Sequence, residues 1–268
     1  MRTERSRAVN LAVLLVVLAA LASLLEGPAV WLGALIVGAA AAFGAFHFLA
    51  EVDPRGVPIE SLATPAVAAM ALAGMAHLAG VSPALAPIVV GGGLLLVATL
   101  LLEARLMGPA DDARARRGRQ LVPVVVLLAF LGFASVAGAI YAGLAAPLPG
   151  TTEPAAIDQG SLLLLAFADG VVAFLLGYRL AAARAPDLIE AAWAAGTFAV
   201  VIGVGAALLR ALALPRLLGP AILAGIFYLW SAYRAAPGAE RRSAGWLWEY
   251  LVLALALAGV VAWNLLVR

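Results

Sequence analysis

LLLLAFADGVVAFLLGYRLAAA, residues 162–183, is the stretch whose reading decides the fold. An α-helix needs about 20 apolar residues to cross a bilayer core roughly 30 Å thick. This run has that length, yet Asp169 stands near its middle and Arg179 near its end.

Composition extends the reading to the whole chain. Hydrophobic residues make up 65% of the 268 positions and charged residues 12%. Soluble domains run near ~45–50% and ~25%. A soluble fold could not hide this much apolar surface, so lipid is the solvent for much of it. Apolar runs recur at about 8–25, 29–50, 62–79, 84–106, 121–146, 160–183, 188–209, 215–233 and 245–267, separated by Gly/Pro or charged punctuation. The predicted fold is all-α: a polytopic transmembrane helical bundle of about nine spans, a single integral membrane domain over 1–268. The third run is short and the eighth is interrupted by polar residues, which leaves eight and ten spans open.

Arginine placement sets the expected orientation, because cytoplasmic loops retain basic residues. With MRTERSR inside, 14 Arg fall on the inner side and three (Arg210, Arg216 and Arg268) on the outer. The loop PLPGTTEPAAIDQGS, 147–161, has two acids and no Arg, which suits the outside. The N-terminus is therefore expected in and the C-terminus out. Ala20-Leu21-Ala22 resembles a signal-peptide cleavage site, but another span follows almost at once, so an uncleaved first span is expected. The expected location is a cell membrane, the bacterial cytoplasmic membrane.

Several function classes are excluded by residue type. There is no Cys, which removes disulfides and thiolate chemistry. Every basic residue is Arg, so no Schiff-base lysine and no Walker-type phosphate loop exists. GVGAAL, 203–208, lacks the last Gly of a dinucleotide fingerprint and lies inside a span. No Ser stands in a nucleophile elbow. No cofactor and no metal site is expected. Membrane lipids are the expected partners, with a protein partner or homo-oligomer left open, and nucleic acid is not expected.

Two polar groups carry the functional expectations. Asp169 lies some nine residues inside its span, ~13 Å deep at the helical rise. An intramembrane acid is costly and should face the bundle interior or a wet cavity. Ser135, Thr197 and Thr99 fall near it in estimated depth and are its candidate hydrogen-bond partners. Arg210 is the nearest cation along the chain, though ~12 Å nearer the outer face. The second group is His47 and Glu51, four residues apart on one helix face near the inner boundary, a spacing that can orient a proton acceptor. Phe43-x-x-x-His47 also matches one motif of intramembrane CAAX-type proteases, but the paired-glutamate motif those enzymes need is missing.

Glycines and boundary motifs complete the inventory. Gly91-Gly92-Gly93 after Pro87 predicts either a kinked fourth helix or close helix packing, with packing favoured. EARLMGPADDARARR, GYRLAAARAPDLIE and AYRAAPGAERR share Arg, then Pro, then acid. Topology and helix-end preferences explain that order without a duplicated unit, and they assign Arg179 to the inner boundary. The loop MGPADDARARRGRQ, 107–120, could meet anionic headgroups.

The layout EARLMGPADDARARRGRQ followed by an apolar span ending in AIYAGL resembles a family of uncharacterised bacterial multi-pass proteins, a domain of unknown function. The resemblance implies a polytopic helical fold and supplies no activity. The leading expectation is a transporter or permease-like bundle for a small molecule or lipid, proton-coupled through Asp169. The alternatives are a non-catalytic membrane subunit or scaffold, and a lipid-processing membrane enzyme using His47 and Glu51.

Overall fold

A computed structural model describes residues 2–53, 56–80, 82–107, 112–141, 159–184, 187–211, 217–235 and 244–266. Those residues form nine α-helices: α1 (Arg2–Ala22), α2 (Ala29–Val52), α3 (Ala63–Ala79), α4 (Leu85–Leu106), α5 (Asp112–Tyr141), α6 (Gln159–Ala182), α7 (Leu188–Ala211), α8 (Leu218–Ala235) and α9 (Ala244–Leu266). A single 3-10 turn, Ile59–Leu62, leads into α3. Among the described residues seven helices, α1 to α7, are long and apolar enough to cross a membrane. α8 has 18 residues, which reach only ~27 Å at the helical rise, and ends in Tyr233 and Arg234. The outer loop expected at 147–161 lies mostly outside the described residues, as does Arg216.

Local chemistry explains where the helices start. α3 opens with Pro65 in its first turn, where a missing N–H costs nothing and the fixed φ suits a helix. The 3-10 turn adds its own length, so the third apolar run crosses as Ile59–Ala79 and is not short. α7 opens at Asp187, whose Oδ1 accepts the Glu190 N–H at 2.7 Å, an N-terminal cap. α5 begins at Asp112, so much of the segment expected as a basic loop is helical backbone. Ala and Arg are good helix formers, and ARARR continues the helix before its apolar part begins at Gln120.

α3 and α5 are the central helices. In each, 61% of the spanning window is buried, against 22% for α1 and α4. α3 touches α1, α2, α4, α5 and α6, and its buried face is mostly Ala, which lets so many neighbours approach. α6 and α7 make the most extensive helix pair. Their backbones meet directly: a Cβ on Gly170 would lie 3.3 Å from the Ala199 carbonyl oxygen, and one on Gly203 only 3.0 Å from that of Ala166.

The triple glycine is settled in favour of close packing. α4 runs unbroken through Gly91–Gly93. A Cβ on Gly92 would strike the Leu72 side chain of α3 at 2.4 Å, and one on Gly93 would press Val16 of α1 at 3.2 Å. Gly92 and Gly93 thus allow close approach, Gly91 meets nothing within 4 Å, and none of the three breaks the helix.

Neighbouring helices alternate in direction, and the contacts define two ends. Thr64, Glu103, Arg179 and the Arg7–Glu51 ion pair gather at one end, called here the basic end. At the opposite end, His77 Nδ1 lies 2.9 Å from the Ser23 carbonyl oxygen. His47 and His77, near the last turns of antiparallel α2 and α3, thus belong to opposite ends.

Candidate functional site

Among the described residues two acids are enclosed within the bundle, and their surroundings differ. Glu103 lies one turn from the end of α4 with 0% exposure. Arg179 of α6 donates to both of its oxygens, Nε to Oε1 at 2.9 Å and to Oε2 at 3.1 Å, and Nη2 to Oε2 at 2.6 Å. Thr64 Oγ1 of α3 adds a third donor group, reaching Oε1 at 2.5 Å. A fork of this kind is the strong form of a charge pair, because geometry and charge act together. It links α3, α4 and α6. Arg179, assigned to the boundary by topology, is in fact 6% exposed and turned inward.

Asp169 is the contrasting case. It is 1% exposed, and its Oδ1 has no hydrogen-bond partner. Counting from Gln159, it lies ten residues into α6, ~15 Å along the axis. Buried polar atoms are nearly always bonded, so an orphan in hydrocarbon calls for a cause.

The register of the contacts shows why the expected partners do not reach it. Gly132 of α5 faces Val172 of α6, and the two helices are antiparallel, so Ser135 stands level with Asp169. Its hydroxyl turns to α3 instead, within 3.0 Å of the Ala71 carbonyl oxygen and 2.8 Å of that of Leu131. Thr197 lies two residues from Ala199, the neighbour of Gly170, so its depth also fits. Its Oγ1 donates to the Ala194 carbonyl at 2.7 Å and accepts the Trp230 indole N–H at 3.0 Å. Thr99 donates to the Leu96 carbonyl at 2.8 Å. Arg210 is eleven residues beyond Ala199 on α7, ~16 Å along the axis, too far for a direct pair.

His47 and Glu51 keep their helical spacing but serve separate contacts. His47 is exposed, edge-on to Phe43 with ring centroids 4.5 Å apart and to Phe46 at 5.8 Å. Glu51 accepts from Arg7 of α1. No group of three His, Asp or Glu suited to hold a metal occurs among the described residues.

The chain is a multi-pass integral membrane protein. No protein-family model, curated protein or solved structure matches it. The layout resemblance therefore resolves to the coarser statement alone, a largely apolar multi-pass helical bundle.

Glu103 and Thr64 were absent from the sequence-derived candidates. One signal could have found Glu103. Helix C-termini disfavour acids, and LLLEARL places one in the last turn of an apolar run where topology asks only for Arg. Nothing in the sequence marks Thr64, whose role depends on how α3 and α4 pair.

Proposed function

We propose that the protein is a proton-coupled permease for a small molecule or lipid, with Asp169 as its proton-binding residue. The observation that carries this is the enclosed Asp169 oxygen without a partner, where Glu103, the other enclosed acid among the described residues, is fully bonded. An ionised Asp169 here would leave a bare charge in a low-dielectric interior; a bound proton removes it. Releasing that proton requires water or a donor to reach the site, hence movement of the surrounding helices.

The α6–α7 contact suits such movement. Beside Asp169 it meets backbone against backbone, at Gly170 with Ala199 and at Gly203 with Ala166, while toward the basic end the Phe198 ring of α7 seats against Gly177 of α6. Rocking of α6 against α7 about the Phe198–Gly177 contact would expose Asp169 toward one membrane face and then the other. The Thr64–Glu103–Arg179 group would hold the basic end of α6 to α3 and α4 meanwhile. In this reading all nine helices cross, the basic end is cytoplasmic, and the C-terminus lies outside.

The test is proton movement driven by solute. Protein reconstituted into vesicles holding a pH-sensitive dye is challenged in turn with anionic, neutral and cationic metabolites and with short-chain lipids. At least one solute should change the internal pH in wild type and not in Asp169→Asn. Solute uptake with unchanged proton movement in Asp169→Asn would overturn the coupling role. No solute-linked proton movement in wild type would favour a scaffold.

A further inference from the structure

A second site stands apart from Asp169, at the basic end between α6, α7 and α8. A cleft of about 110 Å³ is lined there by Leu180, Ala181, Arg184, Glu190, Ala194, Phe198 and Arg234. Its floor is apolar: Leu180, Ala194 and Phe198 are all buried, and Phe198 packs against Phe227 with ring centroids 4.9 Å apart. Its rim is charged and exposed: Arg184, Glu190 and Arg234. The volume exceeds what one water needs.

Each rim residue is placed by its element. The turn ending α6 brings Arg184 over the cleft, its backbone N–H donating to the Ala181 carbonyl at 2.8 Å. Arg234 comes from the last turn of α8 and Glu190 from the first turn of α7. Among the described residues, two guanidiniums against one carboxylate line the cleft, a net charge of +1.

We propose that this cleft binds a phosphate group, its oxygens held by Arg184 and Arg234 and its organic remainder lying against Leu180, Ala194 and Phe198. Planar guanidinium forks match phosphate oxygens, and one from the turn after α6 and one from the last turn of α8 line the same opening. Enough protein covers Arg184 to pull its pKa below the usual arginine range through burial. A bound anion would restore the lost solvation. The phosphate can belong to an anionic phospholipid headgroup or to a soluble phosphomonoester; the recognising chemistry is the same.

Thermal shift and equilibrium binding of the full chain, in phosphatidylcholine nanodiscs, test this with three probes: added phosphatidylglycerol, inorganic phosphate and glycerol 3-phosphate. At least one should bind wild type. Arg184→Gln/Arg234→Gln should weaken it by about tenfold or more, two charge-assisted contacts being lost. Glu190→Gln, which removes the opposing charge, should tighten it. Arg7→Gln, which removes a charge at the same end of the bundle, should leave it unchanged. Binding of phosphatidylglycerol alone assigns the headgroup; binding of the soluble probes assigns a phosphomonoester. Folding of each variant is checked by its melting curve without probe. The proposal fails if no probe binds wild type, if the double variant binds as well as wild type, or if Arg7→Gln loses as much. It is independent of Asp169, and Asp169→Asn should bind the same probe unchanged.

Discussion

One helix carries both kinds of buried charge chemistry. At Arg179, α6 offers a guanidinium that finds two carboxylate oxygens and a companion hydroxyl. Ten residues earlier, ~15 Å along the same helix, it offers Asp169, one oxygen of which finds nothing. The first arrangement has its answer in the static structure. The second has no answer there, and a second state of the protein would supply it. A satisfied buried ion pair resists change, because separating it strands two charges. An unsatisfied acid responds to change, because any approaching water or donor improves it.

Breaking the satisfied region should have the largest effect. Arg179→Ala leaves Glu103 enclosed and uncompensated and should cost about 3–5 kcal/mol of stability. Thermal melting or denaturant titration in detergent micelles would read this. Replacing Glu103, Arg179 and Thr64 together by Met, Met and Val should recover most of the loss, since apolar groups of similar volume need no partners. If the triple variant is as unstable as Arg179→Ala, the damage lies in packing and not in the stranded charge.

Thr64→Val sharpens the comparison at lower amplitude. It keeps the shape and removes one donor to Glu103, with an expected cost of about 1–3 kcal/mol by the same melting assay. Asp169→Leu should move stability in the opposite direction or not at all, because it removes an unsatisfied buried acceptor. A loss above about 3 kcal/mol there would mean that Asp169 holds the bundle together, as a buried paired charge does.

The smallest effects probe the seam beside Asp169. Gly170→Ala places a methyl 3.3 Å from the Ala199 carbonyl oxygen, whereas Gly196→Ala on α7 meets nothing within 4 Å. The second should stabilise by about 0.4–1 kcal/mol through the unfolded chain alone. The first should gain less or lose, and it should slow any proton movement that depends on α6 shifting against α7. Equal gains at both positions would argue that the seam has slack.

Most of the fold was legible because lipid imposes a simple rule: apolar stretches of about 20 residues become helices. The runs at 29–50, 84–106, 160–183 and 188–209 fall within a few residues of α2, α4, α6 and α7. Legibility ended where a boundary depends on something other than apolarity. The 3-10 turn before α3 and the polar start of α5 are helical for local reasons that hydropathy does not register. The polar sites show the same limit. Depth could be counted along each span, so Asp169, Ser135 and Thr197 were placed at similar levels. Facing could not, and facing turns Ser135 toward Ala71 and Thr197 toward Trp230. Arg179 satisfies the positive-inside rule and a buried ion pair at once, so the simpler cause concealed the second.

Asp169 is expected to take up and release a proton. Infrared difference spectroscopy of the purified protein in lipid, recorded across a pH change, reads it without knowledge of any substrate. The account expects a protonated-carboxyl band that responds to pH and shifts in heavy water. That band should vanish in Asp169→Asn and persist in Glu103→Gln. A band unaltered in Asp169→Asn, or one insensitive to pH in wild type, would contradict the account.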